Sequence, residues 1–221
     1  MCVGILRRLA GVLALVTIIG GAPAAAHDSH RGVVLEETQS SRHVYRRDPP
    51  PPHTLGGSFE LMDHTGNAVT SSSYPGKWLL INFGYTGCRE ACPTGLVNMA
   101  AALDALGPDA ERIQPLFIDV SMEEPDIKGL AQFVGNFHPR LIGLTGTRKQ
   151  TFDVVRAFKV RREYAMTNYS AKETGPRINH TTYLYLVDPQ GVTRAYFYHD
   201  LAPEGMAATM RSHLYKTGGV Q

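Results

Sequence analysis

Two cysteines four residues apart are the chain's clearest chemical feature. Cys88 and Cys92 stand in the run Ile81-Asn82-Phe83-Gly84-Tyr85-Thr86-Gly87-Cys88-Arg89-Glu90-Ala91-Cys92-Pro93. At i and i+4 the two sulfurs share one face if that turn is helical. There they can close a disulfide or grip one soft metal ion together. The remaining cysteine, Cys2, lies in a stretch that reads as a targeting segment. A disulfide closing so short a loop stabilises little through loop entropy, so the pattern favours reactivity or metal binding over scaffolding.

The elements around the pair define its surroundings. Trp78 to Phe83 is unbroken apolar sequence and predicts a buried strand. A Gly-Tyr-Thr-Gly turn follows, and Pro93 to Leu106 predicts a helix with Leu96, Met99, Ala100 and Leu103 on one face. The thiols thus stand where a strand ends and a helix begins, a place where the helix dipole and free N–H groups stabilise a thiolate. Arg89 would add positive charge, and Glu90 would partly offset it. This strand–cysteine–helix layout is the thioredoxin-like arrangement, with three residues between the cysteines where thioredoxin has two.

As a metal site the pair is incomplete. Soft thiolates favour Cu(I), and an added imidazole suits Cu(II) as well. Zinc is the competing metal, but its structural sites want four closed ligands. His180 is the best candidate for a third ligand. It lies in Ile178-Asn179-His180-Thr181-Thr182, ahead of the apolar strand Tyr183 to Val187. In a thioredoxin-like topology the loop before this strand faces the cysteine helix. The competing reading of His180 is a histidine hydrogen-bonded at a strand entrance.

The rest of the chain supplies the framework. Phe59 to Asp63 and Ala68 to Thr70 read as a strand pair, Ile113 to Val120 as a strand and Asp126 to Phe137 as a helix. Leu141 to Leu144 reads as a short strand, and Thr147 to Phe158 as a helix with Thr147 as N-cap. Thr182 to Val187 and Thr193 to Tyr198 flank the hairpin turn Asp188-Pro189-Gln190-Gly191, and Pro203 to Leu214 is a closing helix. The order predicts an α/β fold of thioredoxin-like type. It has a central mixed sheet flanked by helices, an N-terminal strand pair, and a C-terminal hairpin plus helix.

Residues 58–216 are expected to form one domain, with 217–221 as a tail. Residues 1–26 have the layout of an export signal. Arg7 and Arg8 precede an apolar run from Leu9 to Ile19, and Ala24-Ala25-Ala26 offers a cleavage site. Retention of this segment as a membrane anchor is the rival expectation. Residues 27–57, with Pro49-Pro50-Pro51-Pro52, read as a proline-rich tether. Its histidines His27, His30, His43 and His53 read as scattered linker residues. Removing Arg7 and Arg8 from the 22 basic residues of the chain balances the 20 acidic ones. A neutral balance argues against a broad nucleic-acid or anionic-membrane surface.

Three segments together carry a family resemblance. They are Gly84-Tyr85-Thr86-x-Cys88-x-x-x-Cys92-Pro93-Thr94, Phe137-x-Pro139-x-Leu141-Ile142-Gly143-Leu144-Thr145-Gly146-Thr147, and Asn179-His180-Thr181. Over roughly residues 55–216 the chain resembles the Sco (Sco/SenC) family. That resemblance implies a thioredoxin-like domain exposed outside the cytoplasmic membrane; with the export signal, the expectation is a monomer in the periplasm or on the outer face of that membrane. It implies one copper ion, Cu(I) or Cu(II), held by Cys88, Cys92 and His180. It also implies work on the dinuclear copper centre of cytochrome c oxidase, by delivering copper to the receiving subunit, reducing its cysteines, or both.

The sequence departs from the family's common pattern. Gly87 stands where a histidine is frequent, Arg89-Glu90 replaces Pro-Asp, and Asn179 replaces an aspartate. The acidic run from Asp119 to Asp126 only loosely matches the family's Asp-Pro-Glu-Arg-Asp stretch. The leading expectation is a copper metallochaperone. The rival is a copper-independent thiol–disulfide oxidoreductase using Cys88 and Cys92 as a redox pair, with a peroxiredoxin-type peroxidase third. Among other residues, Asp119 can tune the thiols or end its strand in solvent, and Tyr85 can line a docking surface or simply pack. His138 reads as a helix C-terminal dipole partner, His199 and His213 as surface residues, and Met206 and Met210 as core.

Overall fold

The computed structural model describes residues 50–121, 123–164 and 178–216. The export signal, most of the tether, the tail, Met122 and Met166 lie outside the described residues. Pro52–Thr54 forms a single 3-10 turn, after which Leu55 is buried.

The strands are β1 (Glu60–Asp63), β2 (Ala68–Thr70), β3 (Trp78–Gly84), β4 (Ile113–Asp119), β5 (Ile142–Thr145), β6 (Arg162–Tyr164), β7 (Ile178–His180), β8 (Tyr183–Val187) and β9 (Thr193–Tyr198). The helices are α1 (Ala91–Leu106), α2 (Ile127–Val134), α3 (Arg148–Ala157) and α4 (Pro203–Lys216). Seven strands form one mixed sheet in the order β2-β1-β5-β4-β3-β8-β9. Strands β3, β4 and β5 run parallel, with α1 and α2 in their crossovers, and antiparallel pairs close both edges. The alternation of elements in the sequence predicts this mixed sheet.

Side-chain alternation along β3 divides the core. Trp78 and Leu80 pack with Leu96, Met99 and Leu103 of α1, Leu130 and Val134 of α2, and Met206 and Met210 of α4. Leu79, Ile81 and Phe83 face the other way, onto Leu61, Val69 and the α3 residues Val154 and Val155. Every residue of β3 is buried, as expected for a central strand covered on both faces. The strand that leads to the cysteines is therefore clamped from both sides.

Local signals set the helix ends. Asp126 caps α2 through its side chain, which accepts the Gly129 N–H at 2.8 Å. Thr147 and Gln150 form a reciprocal capping box at the start of α3. Helix α2 stops at Val134, short of the expected Phe137, because the chain turns through Gly135 and Asn136. Helix α1 starts two residues before Pro93.

A two-stranded ribbon is the element the sequence pattern missed. Strands β6 and β7 pair antiparallel, with Arg162 opposite His180 and Tyr164 opposite Ile178. The ladder is extended by Arg161 and Thr181, which exchange hydrogen bonds at 2.9 Å. His180 thus ends a short strand instead of lying in a loop. Among the described residues no helix is long and apolar enough to cross a membrane.

Candidate metal centre

Strand β3 reaches the site at Gly84, and the lack of a side chain there is structural. A Cβ on Gly84 would lie 2.7 Å from the Cys92 sulfur and 2.7 Å from Cε2 of Phe117. Only a hydrogen fits between the strand and the thiol. Beyond Gly84 the chain turns, and the Cys88 N–H donates to the Tyr85 carbonyl at 3.0 Å.

Helix α1 then begins with an unusual cap. Glu90 occupies the N-cap position, but its side chain makes no capping hydrogen bond. The Cys88 sulfur accepts the N–H of Cys92 at 3.4 Å, so the first thiol satisfies a donor that the first helical turn leaves open. Cys92 lies inside that turn and is 2% exposed, and Cys88 is half-buried. Both thiols are free.

His180 reaches the pair from the ribbon. Its Nε2 lies 3.6 Å from the Cys92 sulfur, and its Nδ1 lies 2.8 Å from the carbonyl oxygen of Thr181. A carbonyl only accepts, so Nδ1 carries the ring proton and Nε2 turns its lone pair toward the sulfurs. The ring also meets Tyr85 edge-to-face, with centroids 6.0 Å apart and an interplanar angle of 82°. The Tyr85 hydroxyl in turn accepts the Ile178 N–H at 3.4 Å. The ligand atoms of Cys88, Cys92 and His180 all lie within 4.8 Å of one another.

The two thiols are electrically unlike. Cys88 is pulled from an ordinary value of 9.0 down to about 3. The largest cause is the hydrogen bond from the Cys92 thiol, aided by the backbone N–H groups of Cys92 and Glu90, against partial desolvation. Cys92 is pushed up, first by the hydrogen bond to Cys88, then by burial and by the neighbouring negative charge. The reduced pair thus holds one proton on the inner sulfur and one negative charge on the outer one. The sequence points to Arg89 as a source of this effect, but Arg89 is exposed and the thiol and backbone donors beside Cys88 account for it.

A family model described as SCO1/SenC matches residues 47–215. The chain belongs to the SCO1/SenC family. It is 33% identical over 207 residues to the mitochondrial protein SCO1 homolog of Homo sapiens, covering 91% of this chain and 65% of that relative. The chain therefore spans just under two-thirds of that relative's length. Among solved structures it is similar to Bradyrhizobium japonicum ScoI with copper bound, at 33% identity and a TM-score of 0.64, covering 72% of this chain and 98% of that one. A thioredoxin domain of a thiol–disulfide oxidoreductase from Bacteroides vulgatus aligns with a TM-score of 0.52 at 16% identity, covering 75% and 99% of the two chains. That likeness shows the shared fold alone, and the fold is thioredoxin-like.

Several neighbours of this SCO1/SenC site differ from their sequence reading. Asp119 pairs with Gly84 across β3 and β4 and is partly buried, so it is not a fully solvated strand end. Burial raises its pKa, against the Ser121 N–H donated to it at 2.8 Å. His138 uses Nδ1 to accept the Arg140 N–H at 3.1 Å, and burial with the nearby Arg140 charge lowers its pKa. It is an acceptor in a turn and not a cationic dipole partner. His199 and His213 are partly buried, the latter against Trp78 with ring centroids 6.1 Å apart. Met206 and Met210 are core residues.

Sequence reasoning missed Gly84 and Arg162 as parts of this site. The adjacency of Gly84 to the cysteine turn was a usable signal, since a glycine at a strand end often marks a close approach. Nothing local marks Arg162, because its partners lie on another strand.

Proposed function

We propose that this chain is a copper-binding metallochaperone that holds one copper ion through Cys88, Cys92 and His180. The observation that carries the reading is the convergence of two sulfurs and one imidazole Nε2, all within 4.8 Å. Two thiolates and an imidazole are the soft and borderline donors that suit Cu(I) and also accept Cu(II). The donor count falls short of the four closed ligands of structural zinc. Similarity to a ScoI protein solved with copper bound supports the same reading.

The cargo would be passed to a copper-receiving subunit of cytochrome c oxidase during assembly of its dinuclear copper centre. The domain would work in the periplasm or on the outer face of the cytoplasmic membrane, after export directed by residues 1–26. Thiol–disulfide exchange with a partner is the rival use of the same sulfurs, but it needs no imidazole converging on them. His180 therefore favours the metal.

Copper titration of the reduced protein tests this. One tight site is expected, lost in Cys88→Ala and Cys92→Ala and weakened in His180→Ala. Unchanged affinity in His180→Ala would remove the proposed coordination.

A further inference from the structure

His180 belongs to a ribbon that is separate from the main sheet, so something must hold that ribbon against the cysteine turn. Strands β6 and β7 are three residues each. A pair of strands with no third strand beside it is marginal without outside packing. Its position decides whether the imidazole reaches the sulfurs.

Arg162 makes the needed connection. Its Nε donates to the Val120 carbonyl at 2.6 Å, and a terminal nitrogen donates to the Ser121 carbonyl at 2.6 Å. These consecutive carbonyls follow the end of β4. A planar guanidinium is suited to two acceptors at fixed spacing, and each bond from a charged donor is stronger than a neutral one. The partly buried carboxylate of Asp119 adds electrostatic attraction from the same strand end.

The rest of the path is continuous. Val120 donates its N–H to the Gly84 carbonyl at 2.8 Å, and Gly84 is the residue whose missing side chain leaves room for the Cys92 sulfur. On the ribbon side Arg162 is the register partner of His180. Directly opposed residues in an antiparallel pair project to the same face. One side chain thus links the strand end under the thiols to the strand that carries the imidazole.

We infer that Arg162 is a positioning residue for the copper site: it docks the β6–β7 ribbon onto the end of β4 and so holds His180 at the thiol pair. This rests on the copper reading given above. Arg162 touches no metal, and it acts through His180.

The test compares the reduced full chain with Arg162→Met, Arg162→Lys, His180→Ala and the Arg162→Met/His180→Ala double variant. Without metal, proton NMR of the wild type should show a contact between the Tyr85 and His180 rings. Arg162→Met should lose it. With metal, Cu(I) affinity of Arg162→Met should fall about 10- to 100-fold, the range for losing a group that orients a ligand. The double variant should then bind no more weakly than His180→Ala, because residues acting as a unit are not additive.

A retained ring contact in Arg162→Met would overturn the inference, and so would additive losses in the double variant. If Arg162→Met does not fold, Arg162→Lys decides. It keeps the charge but lacks the planar fork, so an unchanged ring contact there would also overturn the inference. Failure of the wild type to bind copper would sink the copper reading alone, and the metal-free ring contact would still judge Arg162.

Discussion

His180 and Cys92 meet across 88 residues of sequence, with imidazole Nε2 3.6 Å from sulfur, while the carbonyl of Thr181 occupies the opposite ring nitrogen at 2.8 Å. The backbone thereby chooses the tautomer before any ligand arrives. A nitrogen that already holds its lone pair toward the site needs no proton transfer to bind a cation.

This tautomer is directly measurable. Long-range proton–nitrogen NMR of the reduced, metal-free protein at mildly alkaline pH should show His180 with a protonated Nδ1 and a bare Nε2. A protonated Nε2 would contradict the geometry.

The Cys88 shift sets a pH dependence with a definite sign. Its folded value, about 3, lies far below its ordinary value of 9.0. The folded state therefore favours the ionised form. The resulting stabilisation is complete above the ordinary value and shrinks as pH falls toward the folded one. Denaturant unfolding of the reduced protein should show stability rising with pH between mildly acidic and mildly alkaline solution, and Cys88→Ser should flatten the rise. Alkylation of Cys88 should keep a constant rate across the neutral range. A rate climbing tenfold per pH unit there would indicate an ordinary thiol.

Proton release on metal binding follows from the same asymmetry. Metal ligation requires both sulfurs deprotonated. With Cys88 already ionised and Cys92 protonated, about one proton should leave per Cu(I) bound near neutral pH. Calorimetry in buffers of different ionisation enthalpy measures this. Two protons would mean that both thiols start protonated.

Gly84→Ala should damage fold and site together. The added methyl meets the Cys92 sulfur and the Phe117 ring, each at 2.7 Å. Overpacking of a buried site costs about 1–3 kcal/mol, and displacement of the sulfur should weaken copper binding beyond that loss of stability. Thermal unfolding and copper competition check the two effects separately. Unaltered affinity in a folded variant would show that the sulfur does not depend on the glycine.

Much of this was legible in the residues because local rules and tertiary needs agree. The apolar run from Trp78 to Phe83 could only be a buried strand, and Thr147 with Gln150 carries its own capping chemistry. The short ribbon was not legible. Arg161-Arg162-Glu163-Tyr164 has no apolar alternation, and its pairing to Ile178–His180 is a tertiary fact. The start of α1 was misplaced for a related reason: a cysteine sulfur does the capping, and sequence rules look for hydroxyl, amide or carboxylate.

The unequal burial of the two sulfurs gives the site a direction. Cys92 is sealed beneath the helix start while Cys88 meets solvent. An ion or a foreign sulfur approaching from outside must engage Cys88 before Cys92. By microscopic reversibility, departure along the same route retraces those steps, so Cys92 lets go before Cys88. On the copper reading proposed above, a receiving protein would meet the ion on the outer ligands, Cys88 and His180, once the inner sulfur has let go.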